Sequence, residues 1–513
     1  MIGYQLAINA ARSPDKTALV FGDRRYTFNA LNLCVNRLAN ALIKHSIARH
    51  DRVATLINNC DHFIALFFAA AKIGAVFVPI NFRLAAREVQ QILDNSRPQI
   101  LFVGTSLAAT LDVLRTSGAT LPTVVEVADQ SGTPHALEAW IGDSAETEPK
   151  EAVSSSDIQL LVYSSGTTGL PKGVVWTHAT TFASCAAKII DFALLSNDAT
   201  VVFGPLFHVG PLMDLAVPLL LRGGKLVIGA TTGFDPAQLL RTAAREGATI
   251  ITVYPTMWRR VLALPDLDDY DVSSLRLLFT GGEPTPIPVL RMIYQRFPHA
   301  GFINTYGSTE SGPITTFLRP EDNLAKIGSV GKPSFGVELR IVDDSDRPLS
   351  RGAVGELVVR SPFVCAGYWE RPDETAFATR GGWWHTGDLA RQDEEGFVWI
   401  EGRKKDMIIS GAENIYPIEV EQVIATLPGV AEVAVVGVPD AEWGEAVMAY
   451  IVRQSGEALE ASQVVEHCRR YLASYKKPRH IAFVEALPRT TVNKVAKAKL
   501  REWFVADDRG NSD

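Results

Sequence analysis

Cysteine is scarce in this sequence, and its cysteines form no recognisable pattern. Cys34, Cys60, Cys185, Cys365 and Cys468 are scattered through 513 residues, and no two of them have C-x-x-C spacing. This scatter favours buried free thiols in a reducing compartment over a disulfide framework. We therefore expect a cytoplasmic location.

The sequence also lacks an excess of basic residues and a long apolar run. Its 50 lysines and arginines stand against 57 aspartates and glutamates, and the net charge of −7 gives no bias toward nucleic acid. The most apolar window, residues 63–80, contains Lys72 and Pro79 and is short for a membrane span. Residues 1–5 have no charged segment that leads into an apolar core, so we expect neither secretion nor an integral membrane segment.

Length and patterning indicate more than one domain. A chain of 513 residues is too long for one core, and its hydrophobic content of 47% is ordinary for a soluble enzyme. Short apolar runs alternate with helical patterns up to about residue 279, which predicts parallel sheet flanked by helices. Residues 129–156 are predicted to be a loose connection. Beyond residue 318, polar and apolar residues alternate, as they do in half-exposed antiparallel strands.

A charged junction at residues 402–406 precedes a tail of about 110 residues, the size of a small domain. The tail's pattern predicts helices over 416–426 and 462–472 and strands over 431–438, 447–453 and 480–484. We predict an α/β N-terminal domain, residues 1–404, with flanked, mainly parallel sheets and a small β-rich subdomain. A small, mobile α+β C-terminal domain, residues 405–513, is predicted to follow it.

The densest polar chemistry lies in residues 163–174, YSSGTTGLPKGV, after an apolar strand predicted over 158–162. Glycines let backbone N–H groups approach a ligand, hydroxyls add small donors, and Lys172 adds a mobile charge. This is the composition of a phosphate cradle. It is not a P-loop, because Gly173 and Val174 stand where a P-loop has the hydroxyl that holds magnesium. By itself, a Gly-Thr-Thr-Gly run would also fit a flexible surface turn.

Five further stretches carry polar side chains that a packed core would not need. They are residues 204–210 with His208, 280–284 with Glu283, 304–310 with a glycine turn and Glu310, 384–388 with Asp388, and 487–494 with Lys494. Each has an ordinary reading by itself: a lone histidine is more often structural, and a lone lysine is usually at the surface. The 280–284 stretch ends an apolar strand, where α/β proteins bind ligands.

In this order and spacing, these stretches resemble the adenylate-forming superfamily of acyl-CoA synthetases, luciferases and peptide-synthetase adenylation domains. The resemblance runs from about residue 27 to residue 500. The motifs that carry it are the 163–174 cradle, Tyr306-Gly307-Ser308-Thr309-Glu310, Thr386-Gly387-Asp388, Gly402-Arg403 and Lys494. It implies that a carboxylate attacks the α-phosphate of ATP, giving acyl-AMP and pyrophosphate, and that CoA then displaces AMP. Such chemistry needs positioning and charge neutralisation more than a protein nucleophile.

The resemblance also implies roles for single residues, and ATP, Mg²⁺ and CoA as cofactors. The residues expected at the β- and γ-phosphates are Ser164, Ser165, Gly166, Thr167, Thr168, Gly169 and Lys172. Those expected around adenine are Gly282, Glu283, Pro284 and Tyr306, with Gly307 also in the nucleotide site. Thr309 is expected near the α-phosphate, Glu310 at Mg²⁺, and Asp388 and Arg403 at the ribose hydroxyls. Lys494 is expected to bridge the acid and the α-phosphate, so the candidate catalytic residues are Lys494, Glu310, Lys172 and His208.

The second step is implied to involve the C-terminal domain, which is expected to turn about Lys405. Ala412 is then expected to border the pantetheine tunnel. Trp443 is expected to stack on the CoA adenine, the alternative being an ordinary partly buried aromatic. Lys476 and Lys477 are expected to meet the CoA phosphates.

Three positions depart from the superfamily's usual residues. Gly411-Ala412 stands where two glycines are common, which narrows the expected tunnel. Asn493 replaces the glycine before the catalytic lysine, and asparagine tolerates left-handed backbone better than most residues. Glu283 replaces an alanine that is frequent in fatty-acyl relatives, and we interpret it as a polar lid on the nucleotide.

The expected acid pocket is mostly apolar. Its walls are Phe207, His208, Val209, Pro211, Leu212, Gly281, Tyr306, Gly307 and Pro313. No acidic residue lies between Phe207 and Leu212, where amino-acid-activating relatives bind the α-amine, so an amino acid is disfavoured. We predict a fatty or other hydrophobic acid, with an aryl or cinnamate-type acid as the alternative. His208 is interpreted as a gate to this pocket rather than a base.

Other functions share the nucleotide motifs and stay open at this point. A luciferase-like oxygenase is one, and an enzyme that loads the acyl group onto a separate carrier protein is another. A non-catalytic AMP-binding protein is disfavoured by the presence of Lys494 and Glu310. The expected partner is a small carboxylic acid, with no nucleic acid, and a homodimer is the working hypothesis for the assembly.

Overall fold

The structure is a computed structural model of the chain. It describes residues 1–118, 120–130, 136–164, 171–229, 233–283, 285–410, 413–440, 442–490 and 494–510.

The first 141 residues alternate strands with helices, as the sequence predicts. The elements are α1 (Ile2–Arg12), β1 (Thr17–Phe21), β2 (Arg24–Thr27), α2 (Phe28–Lys44), β3 (Arg52–Leu56), α3 (Asp61–Ile73), β4 (Val76–Pro79), α4 (Ala86–Ser96), β5 (Ile100–Gly104), α5 (Ala108–Thr116), β6 (Thr123–Val127) and α6 (Ala136–Ile141). Helix α2 begins at Phe28, because the Thr27 side chain caps it by accepting a hydrogen bond from Ala30 N at 3.1 Å. Helix α6 lies in the stretch predicted to be a loose connection, and that prediction is wrong there.

The next segment continues the alternation. Its elements are β7 (Ile158–Ser164), β8 (Lys172–Thr177), α7 (His178–Asp191), β9 (Ala199–Val202), α8 (Val209–Pro211), α9 (Val217–Arg222), β10 (Lys225–Ile228), α10 (Pro236–Glu246), β11 (Ile250–Thr252), α11 (Pro255–Leu262), β12 (Leu277–Gly281), α12 (Ile287–Arg296), β13 (Gly301–Ser308) and β14 (Gly312–Leu318). A single π-helical turn, Leu212–Ala216, joins α8 to α9.

The remaining strands are mostly antiparallel, and the helices are few. The elements are β15 (Lys332–Pro333), β16 (Glu338–Val342), β17 (Gly355–Arg360), α13 (Pro372–Ala378), β18 (Trp384–Gln392), β19 (Val398–Arg403), β20 (Ile408–Ser410), β21 (Glu413–Ile415), α14 (Pro417–Ile424), β22 (Val430–Asp440), β23 (Gly444–Arg453), α15 (Ala461–Tyr471), β24 (His480–Phe483) and α16 (Lys497–Gly510). The tail's three strands and two helices predicted from sequence are β22, β23, β24, α14 and α15.

Two mainly parallel sheets form the large part of the molecule. Within the described residues, one has nine strands in the order β15-β14-β13-β12-β11-β9-β10-β1-β2, and the other has six in the order β6-β5-β3-β4-β7-β8. Pairing is parallel except at the strands nearest the edges, β2, β14, β15 and β8. Apolar strands buried on both faces are typical of parallel sheets covered by helices.

A buried helix explains the most apolar window of the sequence. All residues of α3 are buried, so the helix belongs to the core that the two sheets share. Lys72, which interrupts the apolar run, donates to Asn32 and Asn36 at 2.7 Å and to Glu148 at 2.6 Å. These partners satisfy the buried ammonium group. Among the described residues, no helix is both long and apolar enough to span a bilayer.

Two smaller sheets follow, and the second has its own core. Strands β16-β17-β18-β19 form an antiparallel sheet, and β21-β20-β23-β22 form another to which β24 adds in parallel. Alternate residues of β22 and β23 enter two separate apolar clusters, one with α14 and α15 and one with Leu500 of α16. Both faces of this last sheet are therefore covered, which gives a compact α+β unit.

Candidate active site

Several of the candidate residues come together where the C-terminal unit meets the N-terminal part, a place called the cleft below. Lys494, from the C-terminal unit, lies close enough to Asp388, Arg403, Glu283 and Glu310 for each charge to affect its pKa. These four come from separate motifs of the N-terminal part. Desolvation by the cleft walls and then the positive charge of Arg403 lower the pKa of Lys494, although solvent still reaches the residue.

Asp388 and Arg403 form the most ordered part of the cleft. They are register partners on strands β18 and β19, and Arg403 Nε lies 2.7 Å from Asp388 Oδ1. The Tyr306 hydroxyl donates to Asp388 Oδ2 at 2.5 Å. Burial raises the pKa of Asp388, while Arg403 and the Tyr306 hydrogen bond act in the opposite direction. The Asp388 charge in turn raises the pKa of Arg403. The arrangement presents a fixed carboxylate and a guanidinium to one side of the cleft.

The two ends of the phosphate cradle are held together by a strand pair. Ser164 ends β7, Lys172 begins β8, and the two are register partners. Lys172 Nζ forms an ion pair with Glu374 Oε2 and lies 5.3 Å from the centre of the Tyr368 ring. Lys172 is the main cause of the lowered pKa of Glu374. The sequence did not predict Glu374, because this acid lies in α13, far from the cradle along the chain.

Thr309 and Glu310 follow β13 and are fixed through their backbone. Trp176 Nε1 donates to the Thr309 carbonyl at 2.9 Å, and Cys365 N donates to the Glu310 carbonyl at 2.8 Å. The Glu310 carboxylate accepts a hydrogen bond from Ser164 Oγ at 3.4 Å. Glu310 therefore lies beside Ser164 of the cradle, and its role at Mg²⁺ stays a prediction.

The predicted glycine turn at Gly307 is part of strand β13 instead, and that prediction is wrong. The strand continues to Ser308, with an irregularity in its pairing to β14 at Gly307. A Cβ on Gly307 would lie 2.3 Å from the Gly312 carbonyl oxygen, so only glycine allows the two strands to approach this closely.

Glu283 lies at the carboxyl end of β12, just beyond Gly282, whose φ of +82° favours glycine. Its carboxylate is 4.0 Å from the Arg489 guanidinium of the C-terminal unit. Burial raises the pKa of Glu283, and Arg489 opposes this shift. Glu283 thus faces the C-terminal unit, in addition to the nucleotide side that the sequence predicts.

His208 borders the predicted acid pocket. It is half-buried, and burial, followed by the positive charges of Lys494 and Arg83, lowers its pKa to about 4. Its ring is tilted against Phe207 at 5.0 Å, and Phe207 packs edge-on against Phe82 at 5.1 Å. The low pKa makes the ring a weak base, so its position in an aromatic cluster agrees with a gate better than with a general base.

Three residues of this pocket region were missed by the sequence analysis. Asp214 lies in the π-helical turn, two residues beyond the segment searched for acids, Lys188 lies on α7, and Tyr254 precedes α11. Asp214 is 9% exposed and Lys188 is fully buried. An acidic residue within a run of apolar residues was the available signal.

Comparison with known proteins identifies the family. Residues 6–369 match the family model described as AMP-binding enzyme, and residues 419–494 match the AMP-binding enzyme C-terminal domain. The chain belongs to the AMP-binding enzyme family.

Relatives of this AMP-binding enzyme are CoA ligases. It is 37% identical to the indoleacetate–CoA ligase of Aromatoleum aromaticum, with 96% of each chain covered. It is 36% identical to a long-chain-fatty-acid–CoA ligase of Mycobacterium tuberculosis, with 98% of this chain and 99% of that one covered. The solved structure of the anthranilate CoA ligase AuaEII in complex with anthranoyl-AMP superimposes with a TM-score of 0.90 at 29% identity, covering 98% and 96% of the two chains. The predicted fold class and the predicted enzyme class, an AMP-forming carboxylic acid–CoA ligase, are confirmed.

The two parts of this AMP-binding enzyme contact each other through charged side chains. Arg259 of α11 donates to the Ala431 carbonyl at 3.1 Å and lies 3.5 Å from the Glu432 carboxylate. Arg489 donates to the other oxygen of Glu432 at 2.7 Å. Partly exposed ion pairs of this kind are individually weak; Arg259 joins the two parts, and the Arg489–Glu432 pair lies within the C-terminal unit.

The residues expected to meet CoA lie apart from the cleft's charged cluster. Trp443 is 37% exposed, with the Arg479 guanidinium 4.9 Å above its ring. Lys476 is paired with Glu419 at 2.7 Å, and Lys477 donates to the Ser474 carbonyl at 2.9 Å.

Some predicted site residues lie outside the described part of the chain. They are Ser165, Gly166, Thr167, Thr168 and Gly169 of the cradle, Pro284 near adenine, and Ala412 at the expected tunnel.

Proposed function

We propose that this enzyme activates a hydrophobic carboxylic acid with ATP, through acyl-AMP and pyrophosphate, and transfers the acyl group to CoA. One observation carries the proposal: Lys494 of the C-terminal unit lies among Asp388, Arg403 and Glu310 of the N-terminal part. A lysine held there faces a carboxylate and an α-phosphate at the same time. Charge that develops on the phosphate in the transition state is then met by a group already in position.

The remaining cleft residues suit the parts of a nucleotide. Asp388 accepts from ribose hydroxyls, and Arg403 keeps the Asp388 carboxylate ionised and oriented. Tyr306, whose hydroxyl binds Asp388, presents its ring to the adenine together with Gly282 and Glu283. Thr309 lies near the α-phosphate. These roles remain proposals for each residue.

Lys172 has a carboxylate partner, Glu374, that a nucleotide would have to replace. A β- or γ-phosphate carries more charge than one carboxylate, so Lys172 moves from Glu374 to the phosphate when ATP binds. Its position opposite Ser164 places it beside the cradle. Before ATP binds, the ion pair with Glu374 holds the charged Lys172 side chain in place at the end of the cradle.

Glu310 is the proposed Mg²⁺ ligand. Among the described residues, no group of three or more histidine, cysteine, aspartate or glutamate side chains converges on a single point. This fits Mg²⁺, which is commonly held by one or two carboxylates together with substrate phosphates rather than by a protein cage. Mg²⁺ would neutralise phosphate charge there, and Glu310, beside the Ser164 hydroxyl, would orient it.

We propose residues 1–404 and 405–513 as the two domains, with Lys405 as the pivot between them. Lys404 Nζ is bound to Asp344 at 2.9 Å and to Glu356 at 3.2 Å, both in the N-terminal part. Asp406 is bound to Arg501 of the C-terminal unit at 2.8 Å. The exposed Lys405 therefore lies between two residues anchored to different domains, which is where a hinge absorbs rotation.

In the second step, the rotated domain brings Ala412 to the pantetheine and Trp443 to the CoA adenine. Removal of Lys494 from the cleft makes room for the thiol. The homodimer and the cytoplasmic location remain predictions. The oxygenase and carrier-loading alternatives are not favoured, because the relatives compared are CoA ligases.

The test is carboxylate-dependent exchange between ATP and labelled pyrophosphate over a panel of fatty and aryl acids. A parallel assay with CoA detects the thioester. We expect pyrophosphate exchange only with hydrophobic acids. We expect thioester only when CoA is added. Exchange that is independent of acid, or light emission in place of thioester, would contradict the proposal.

A further inference from the structure

A buried polar cluster lies beyond His208, in a region otherwise lined by apolar residues. Asp214 of the π-helical turn, Lys188 of α7 and Tyr254 form it. The turn packs against α7, β9 and β14, so the cluster lies inside the large part of the molecule. A π-helical turn inserts a residue into a helix at some cost, and such turns occur frequently at functional sites.

Gly210 lies close to both the Asp214 carboxylate and the Tyr254 hydroxyl. A Cβ on Gly210 would lie 3.6 Å from Asp214 Oδ2 and 3.3 Å from the Tyr254 hydroxyl oxygen. Tyr254 also packs against Gly282 and Gly204, where a Cβ would lie 3.5 Å and 2.9 Å from its ring. Tyr254 thus connects the nucleotide end of β12 with the carboxylate of Asp214.

One oxygen of this carboxylate lacks a partner. Asp214 Oδ1 is buried and accepts no hydrogen bond from any described residue. Asp214 itself is 9% exposed. Buried polar atoms nearly always have a hydrogen-bond partner. An unpaired one in a functional region therefore indicates that a bound molecule supplies the donor.

Lys188 adds a positive charge to the cluster but forms no direct ion pair with Asp214. Its ammonium donates to Ser184 Oγ at 3.1 Å and lies 4.4 Å from the centre of the Phe363 ring. Its charge and that of Asp214 influence each other, yet no nitrogen–oxygen distance within 4.0 Å joins them among the described ion pairs. Burial raises the pKa of Asp214 to about 7, against the pull of Lys188.

We propose that Asp214 binds a neutral hydrogen-bond donor, a hydroxyl or a ring N–H, at the end of the acid remote from its carboxylate. The inference rests on the proposed function, because it assigns the far end of that enzyme's substrate. An ammonium group is disfavoured, since Lys188 already supplies one cation to a single buried carboxylate. A terminal methyl group would leave Oδ1 unpaired.

The spacing along the chain limits the size of the acid. His208, whose pKa is lowered by the charge of Lys494, precedes Asp214 by six residues, which cover α8 and the first half of the π-helical turn, less than two helical turns. An aromatic ring joined to the carboxylate through a short linker spans roughly that distance. The cluster therefore favours an aryl acid that bears a ring donor over a long unsubstituted alkyl chain.

Two matched pairs of acids test this. They are para-hydroxyphenylpropanoate against para-methylphenylpropanoate, and ω-hydroxyoctanoate against nonanoate. The kcat/KM for pyrophosphate exchange is measured for each. We expect the hydroxy acid to exceed its methyl partner by roughly 10- to 100-fold in at least one pair.

Variants assign that preference to Asp214. In Asp214→Leu the ratio between hydroxy and methyl acid should fall to about 1, whereas Asp214→Asn, which keeps an oxygen acceptor, should retain part of it. The double variant Asp214→Leu, Lys188→Met removes both buried charges and keeps the experiment informative if the single variant unfolds. Asp393→Asn, which changes an acid that pairs with Lys326 on the turn between β18 and β19, is the control and should keep the full ratio.

The two ways of failing are distinct. The role of Asp214 is overturned if the unaltered enzyme uses hydroxy and methyl acids with equal kcat/KM. It is also overturned if the ratio persists in both leucine variants. Either result leaves the proposed ligase activity intact. Absence of exchange with all four acids contradicts the proposed function itself, and this inference falls with it.

Discussion

Arg403 and Asp388 face each other across strands β19 and β18, with Arg403 Nε 2.7 Å from Asp388 Oδ1. Strand pairing, an ion pair and the Tyr306 hydroxyl hold one carboxylate in a single orientation. A group held this firmly loses little conformational entropy when it binds a ligand. We therefore expect the pair to position a nucleotide before any acid or CoA is bound.

Asp388→Ala should weaken ATP binding roughly 10- to 100-fold, because hydrogen bonds to a charged acceptor are lost and Arg403 loses its partner. Titration calorimetry with ATP in the absence of acid measures this. The control is Asp393→Asn, at an acid that pairs with Lys326 on the turn between the same two strands. Equal ATP affinity in Asp388→Ala and the unaltered enzyme would remove Asp388 from the ribose site.

His208→Ala should change which acids are used, with little change in the pH dependence of the rate. A pKa of about 4 leaves only about 1% of the imidazole protonated at pH 6, so the ring stays neutral across the working range. The measurement is kcat/KM for small and bulky acids between pH 6 and 8. Loss of an ionisation from the profile, with acid preference unchanged, would favour a base instead of a gate.

Lys405→Pro should leave pyrophosphate exchange nearly intact and slow thioester formation severely. Lys405 lies in a single 3₁₀ turn, Lys404–Asp406, and residues of such turns have φ near the value that proline fixes. Proline therefore retains this arrangement and removes the freedom that rotation requires. Single-turnover measurement of each step decides it, with Lys405→Ala as the control. Equal slowing of both steps would indicate a damaged junction, and no slowing would place the pivot elsewhere.

His178→Gln should protect the protein against mild acid. His178 is 1% exposed, neither ring nitrogen has a hydrogen-bond partner in the described part of the chain, and burial lowers its pKa to about 4. Because the unfolded state takes up this proton near pH 6.5 and the folded state only near pH 4, stability falls as pH drops between these values. The contribution at pH 5 is about 2 kcal/mol.

Urea unfolding at pH 7 and pH 5 measures this loss. The loss between the two pH values should be smaller in His178→Gln by about that amount, whereas His45→Gln, at an exposed histidine, should behave as the unaltered protein does. Equal losses in the unaltered protein and in His178→Gln would contradict the assignment.

The sequence predicted those site residues that directly follow a strand. The cradle begins at the end of β7, Glu283 follows β12 and Glu310 follows β13, so hydrophobic patterning and motif together located them. Asp388 and Arg403 were both expected at the ribose hydroxyls, and the pairing of β18 with β19 brings them together.

What the sequence could not show depends on contacts between distant segments. Glu374 pairs with Lys172, and Arg489 lies between Glu283 and Glu432, yet each of these residues looks like an ordinary surface charge by itself. Asp214 was missed because a single acid in an apolar run has no periodic signal, and the π-helical turn that orients it has no sequence signature.

Lys494→Ala tests the central claim, that a lysine of the C-terminal domain completes the adenylation site. The variant is given acid and ATP in one single-turnover experiment and preformed acyl-adenylate with CoA in another. We predict that acyl-adenylate formation falls by about a hundredfold or more, as when a preorganised charge-stabilising donor is removed, while thioester formation from acyl-adenylate stays near normal. Near-normal acyl-adenylate formation by Lys494→Ala would contradict the account.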